Sequence, residues 1–168
     1  MAVRPIRTVP DPVLRQKAKR VKTIDKSILK LIADMKETLS AANGVGLAAP
    51  QVGVSLRVIV ISIQHENNEK EEHCLINPEV IRRAGERTVN EGCLSIPGYV
   101  GEIVRSVQVR VKGMDEAGKQ VKIVAEGLLG EALEHEIDHI NGILYVDHLE
   151  SQDKLHKLEP EPKQQTAS

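Results

Sequence analysis

Aromatic side chains are almost missing from this 168-residue chain, which has two tyrosines and neither phenylalanine nor tryptophan. Proteins that hold single-stranded nucleic acid stack its bases on aromatic rings, so that function class is disfavoured, and Ile, Leu and Val must build the core. Cysteine is scarce too. Cys74 and Cys93 allow one disulfide at most, no secretory signal pattern opens the chain, and a domain of this size needs no covalent staple. Reduced thiols and a cytoplasmic location are expected. The longest apolar run, Val58 to Ile61 with Ile63 beyond it, is far shorter than the ~20 residues of a membrane-crossing helix. Neither sign of charge dominates, with 23 basic against 24 acidic residues, so the overall balance points to no polyanionic partner and no direct sequence-specific nucleic-acid binding.

What is present divides along the chain. Val3 to Val21, interrupted by Pro5, Pro10 and Pro12, reads as an extended arm. Ile28, Leu31, Ile32, Met35, Leu39 and Ala42 recur at helical spacing and predict an amphipathic helix from about Asp25 to Ala42, stopped by Asn43-Gly44. From Gly44 to Gly53 the glycines and Pro50 predict a tight loop without regular structure, whose small residues permit close approach to another group. Leu56 to Ile63 reads as a buried strand, followed by a polar turn over Glu66 to Glu72 and a second strand from about Cys74 to Ile81. Val107, Val109 and Val111, then Val121 and Ile123, alternate with polar residues across a turn at Asp115 to Gly118, the pattern of a half-solvated hairpin. After Gly127 the period changes, and Leu128, Leu129, Ala132, Leu133, Ile137 and Ile140 predict an apolar helix of about 14 residues ending at Gly142. We expect an α+β fold in which antiparallel strands enclose this second helix and the first lies outside. One domain should span residues 1–150, with a polar, flexible tail at 151–168 that is disordered from Glu159 to Ser168.

The second helix carries Glu134-His135-Glu136-Ile137-Asp138-His139. Imidazoles four residues apart on a helix have Cβ atoms roughly 5–6 Å apart on one face, close enough to share a metal ion. Glu136 leans over the same position without needing to bind, as a general base beside an open coordination site would. Unsatisfied, each of these polar groups on so apolar a helix would cost roughly 1–3 kcal/mol or more. A third ligand is needed, and Cys93 in Glu91-Gly92-Cys93-Leu94-Ser95 is the candidate. Cys74, between His73 and Leu75 in a strand, reads as structural. His65, His73, His148 and His156 read as surface imidazoles. Asp138 flanks the ligand face, where it could hydrogen-bond behind the ligands or pair with an arginine such as Arg105.

Together, Gly44-Val45-Gly46-Leu47-Ala48-Ala49-Pro50-Gln51, Glu91-Gly92-Cys93-Leu94-Ser95 and His135-Glu136-Ile137-Asp138-His139 resemble the peptide deformylase family. The resemblance extends from Asp11-Pro12-Val13-Leu14-Arg15 to about Leu149. It implies that Cys93, His135 and His139 hold one divalent metal, natively Fe²⁺, with Zn²⁺ or another divalent ion possible. Glu136 would move the proton, and the Gln51 amide and Leu94 N–H would hold the oxyanion. Val45 and Gly46 would meet the substrate backbone, and Val89, Leu128 and Ala132 would line a methionine pocket. The implied substrate is the formyl-methionine end of a nascent chain, with the ribosome exit as a possible place of encounter. Two positions depart from the usual family pattern. Glu134 replaces a common Gln and should point away from the metal, while Glu131 stands where Arg or an apolar residue is common and should lie at the pocket rim. The competing readings are a His-Glu-X-X-His metallopeptidase, for which His148 is poorly spaced as a downstream ligand, and a non-catalytic metal-binding relative, which would not be expected to retain both Glu136 and Gln51.

Overall fold

The protein is described by a computed structural model over residues 2–158. The arm is extended except for a short 3-10 turn at Pro12–Arg15. Helix α1 spans Lys26–Ala41, capped where the Asp25 carboxylate accepts from the Ile28 N–H at 3.1 Å, and it ends before Asn43, whose φ of 52° takes the backbone out of the helix. Eight strands follow in chain order: β1 Gly46–Ala48, β2 Val58–Gln64, β3 Lys70–Ala84, β4 Arg87–Cys93, β5 Ile96–Arg105, β6 Gln108–Met114, β7 Gln120–Glu126 and β8 Leu155–Lys157. Helix α2 occupies Gly127–Ile140, between β7 and β8.

The strands form two antiparallel sheets, a large one in the order β1-β2-β3-β6-β7 and a small one in the order β4-β5-β8. Strand β2 is apolar on both sides because both of its faces are covered. Val58 and Val60 pack with Ile28, Ile32 and Met35 of α1, while Ile59, Ile61 and Ile63 pack with Leu133, Ile137 and Ile140 of α2. The small sheet has its own apolar cluster, in which Val89, Ile96 and Ile103 meet Leu14, Leu144 and Tyr145. Helix α2 thus lies on the large sheet with its ligand-bearing end turned toward the small one. No helix among the described residues is long and apolar enough to cross a membrane.

Both helices, β2 and the β6–β7 hairpin lie where periodicity puts them. The Gly44–Gly53 segment is more regular than expected: Gly46–Ala48 is a strand, with Leu47 opposite Val60, and Ala49–Val52 is a 3-10 turn. Strand β3 starts before Cys74, at Lys70 opposite Gln64, which reduces the polar turn to a few residues closed by His65 N–H on the Glu69 carbonyl. The tail does not leave the domain at residue 151. Leu155–Lys157 pairs with Tyr99–Gly101, because the β5 edge offers unpaired backbone groups there. The expected disorder of Glu159 to Ser168 lies outside the described residues.

Helix α2 ends against the arm. Gly142 has φ of 75°, and a Cβ at that position would sit 2.6 Å from the Arg15 carbonyl oxygen. Gly142→Ala combines a left-handed backbone with a clash against main chain, so we expect a loss of about 2 kcal/mol or more, read as a lower urea midpoint at unchanged slope.

Candidate active site

Helix α2 turns His135, Glu136, Asp138 and His139 into the interior, all of them buried. Strand β4 contributes Cys93 at its end, where the turn into β5 begins. The three donor atoms of Cys93, His135 and His139 lie within 4.8 Å of one another, the single such grouping of His, Cys and carboxylates among the described residues. The two imidazole Nε2 atoms are 3.2 Å apart, and Cys93 Sγ is 3.2 Å from His139 Nε2. Nitrogens about 2.0–2.1 Å from one tetrahedral ion would be separated by about 3.3 Å, so this donor set fits a divalent metal. Glu136 Oε2 is 3.8 Å from His135 Nε2, and Glu136 Oε1 is buried without a hydrogen-bond partner among the described residues. Burial raises the Glu136 carboxyl to about 7, as suits a group that takes and returns a proton near neutrality. Gly46 makes room for it. A Cβ there would stand 2.5 Å from Glu136 Oε2.

Gln51 is held between the two sheets. Its Oε1 accepts from Ala48 N–H at 2.9 Å, and its Nε2 lies 3.1 Å from Ser95 Oγ and 3.7 Å from Cys93 Sγ. Ser95 N–H also points to Cys93 Sγ, at 3.4 Å. Two donors are thus aimed at the sulfur.

Behind the donors runs a buried charged network. Glu91 accepts from His135 Nδ1, which leaves the His135 Nε2 lone pair facing the site. Arg105, at the end of β5, donates Nε and Nη2 to the two Glu91 oxygens at 2.9 and 2.6 Å, and Nη1 to Asp138 at 2.7 Å. Burial opposes ionisation of Glu91, but Arg105 and His135 outweigh it and hold the carboxyl down at about 2. The Arg105 pairing open to Asp138 from sequence is therefore made, with Glu91 as a second partner. His148 lies at the surface, as expected. Its Nε2 is 2.8 Å from Asp138 Oδ2, away from the three donors, which leaves no role for it as a ligand of the metallopeptidase kind. Glu134 faces away from the donors, as expected, and accepts from the backbone and hydroxyl of Ser106 and from Arg83.

A cavity of about 480 Å³ opens onto the donors, and Val45, Gly46, Gln51, Leu94, Leu128 and Ala132 are all in its wall. Val89 is not. It points inward on β4 with Glu91 and Cys93, which are in the wall, and packs with Leu14 and Ile103 in the small sheet's core. Pro97, Tyr99 and Val100 of β5 and Leu158 just after β8 are also in the wall, and no local pattern in the sequence marks these segments as bordering the cavity.

The sequence model of polypeptide deformylases matches residues 3–155. The chain belongs to the polypeptide deformylase family. It is 55% identical to a peptide deformylase of Dehalococcoides mccartyi over 161 residues, covering 96% of this chain and 95% of the relative. A crystal structure of a peptide deformylase from Legionella pneumophila is similar with a TM-score of 0.85 and 50% identity, covering 91% of this chain and 89% of the other. The Met-Ala-Ser-bound structure of a class I type b peptide deformylase from Acinetobacter baumannii is similar with a TM-score of 0.83 and 32% identity, covering 88% and 99%. Membership makes the chain a metal-dependent hydrolase that removes N-terminal formyl groups.

Two outcomes follow from the geometry. Cys74 is half-buried and desolvation pushes its thiol up to about 12, so chelation followed by alkylation should label Cys93 and spare Cys74; mass spectrometry showing the reverse order would remove Cys93 from the ligand set. Because the folded Glu91 carboxyl is lower than its ordinary 4.5, its contribution is present above that pH and is lost as pH falls toward about 2. Urea midpoints should therefore drop steeply over that interval, and less steeply in Glu91→Gln.

Proposed function

We propose that Cys93, His135 and His139 hold one divalent metal and that Glu136 is the general base and acid of deformylation. The observation that carries this reading is the convergence of three donor atoms beside a buried carboxylate oxygen that has no hydrogen-bond partner among the described residues. A thiolate with two imidazoles suits Fe²⁺, proposed as the native ion, and equally accepts Zn²⁺ or another divalent ion. When bound, the ion supplies Lewis acidity that activates water and polarises a carbonyl. Glu136 Oε1 takes a proton from the attacking water and gives it to the departing amine nitrogen, so one carboxylate serves both halves of the hydrolysis. Gln51 Nε2 and the Leu94 N–H donate to the oxygen that gains negative charge, an interaction that strengthens in the transition state. The Gln51 side chain is pre-set by Ala48 and Ser95 and pays no ordering cost at that moment.

The substrate is the formyl-methionine end of a nascent polypeptide. Leu128 and Ala132 offer an apolar wall to its thioether, and Val45 and Gly46 offer backbone to the peptide. The Met-Ala-Ser bound to the Acinetobacter relative supports methionine in this place. Such chains emerge at the ribosome exit in the cytoplasm, and we place the enzyme's work there. Residues 1–150 carry the catalytic machinery. The strand at Leu155–Lys157 and Leu158 in the cavity wall add to it an edge from the tail.

Glu136→Gln keeps the shape of the side chain and cannot take the proton. We expect full metal content with turnover of a formyl-Met peptide reduced roughly 10²–10⁴-fold, both measured on one preparation. Residual turnover above about a hundredth of wild type would assign proton transfer elsewhere.

A further inference from the structure

Among the described residues, the cavity wall contains three carboxylates and neither lysine nor arginine. Two of them have duties already: Glu91 is saturated by Arg105 and His135, and Glu136 stands beside the donors. The third, Glu131, does not. It lies one helical turn before His135, between Leu128 and Ala132 in the wall, with its side chain 19% exposed. No hydrogen bond reaches its carboxylate from any described residue, and the cation beside it, Arg87, is 4.0 Å away. Arg87 is engaged elsewhere, donating to the Gly127 carbonyl at 2.7 Å and to the Ser106 carbonyl at 3.4 Å. A mostly buried carboxylate without a donor is unfavourable, and its burial raises its carboxyl above the ordinary range. A cation brought into the cavity relieves that cost, and an anion adds to it.

We propose that Glu131 is a specificity-determining residue that selects formylated peptides carrying a cationic side chain directly behind the formylated residue and disfavours those carrying an acidic one. The inference rests on the deformylase reading of the cavity. The side chain of the formylated residue is met by Leu128 and Ala132. The next side chain is the nearest one free to vary in charge, and Glu and Lys side chains together can reach across the cavity. Charges several ångström apart in a half-screened cleft interact strongly enough to separate a lysine from a glutamate by roughly tenfold or more. The interaction is equal in bound substrate and transition state, so it belongs in KM and leaves kcat alone.

The test uses the metal-loaded full chain and three formyl tripeptides, formyl-Met-Lys-Ser, formyl-Met-Gln-Ser and formyl-Met-Glu-Ser. In wild type we expect kcat/KM to fall in that order, with about tenfold between the first and last, carried by KM and shrinking as salt is raised. In Glu131→Gln the ratio of the Lys to the Glu peptide should approach one, and in Glu131→Arg it should invert. The deformylated products Met-Lys-Ser and Met-Glu-Ser, titrated calorimetrically, should show the same ratios in affinity without any turnover. A wild-type ratio near one, or a ratio that Glu131→Gln leaves intact, overturns the proposal. If none of the three peptides is deformylated by wild type, the deformylase reading itself fails, and the calorimetric ratios then decide the role of Glu131 separately.

Discussion

The Arg105 guanidinium is the contact on which the arrangement depends. It sits at the end of β5, nearly sealed from solvent, and spends its donors on Glu91 of β4 and Asp138 of α2. One residue thereby ties the small sheet to the helix that bears the imidazoles. Cys93 comes from that sheet and His135 and His139 from the helix, so their relative placement is only as good as this junction. Glu91 carries the constraint to the donors by accepting from His135 Nδ1, which fixes both the ring's orientation and the nitrogen left free.

Burying such a network is costly, and that cost explains its completeness. Each ion taken out of water loses several kcal/mol of hydration, recovered only if the geometry is good and the remaining donors and acceptors are filled. Arg105 burial works against its charge, and Glu91 with Asp138 more than restores it. His148 adds one more contact to Asp138 from the solvent side. A hydrophobic replacement would fill the space with less desolvation, but it would give His135 no acceptor. The network is therefore best understood through the orientation it imposes, with stability as a secondary result.

Much of this was legible in sequence wherever apolar periodicity and packing agree. Helices α1 and α2, strand β2 and the β6–β7 hairpin all follow that rule, and the four-residue spacing of His135 and His139 is a local fact of helix geometry. The small sheet was not legible for an equally physical reason. Along β4 the inward positions are Val89, Glu91 and Cys93, and along β5 they include Gly101, Ile103 and Arg105. An alternation whose interior members are a carboxylate and a guanidinium looks like no buried strand, although the partners of those charges make burial possible.

The site also draws together parts that no single element could supply. Gln51 arrives on a 3-10 turn after β1, Cys93 at the end of β4, and the imidazoles on α2, so the donor set is complete only when the two sheets have closed on the helix. A ligand that binds only this closed state stabilises it by its own binding free energy. The shortage of aromatic residues is compatible with such closure. β-Branched side chains and Leu fill both faces of β2, and Gly46 leaves space where Glu136 needs it. What remains between the sheets is a cavity that small residues keep open and carboxylates make acidic. Its shape is set by close packing, and its chemistry by the few polar groups that packing leaves facing inward.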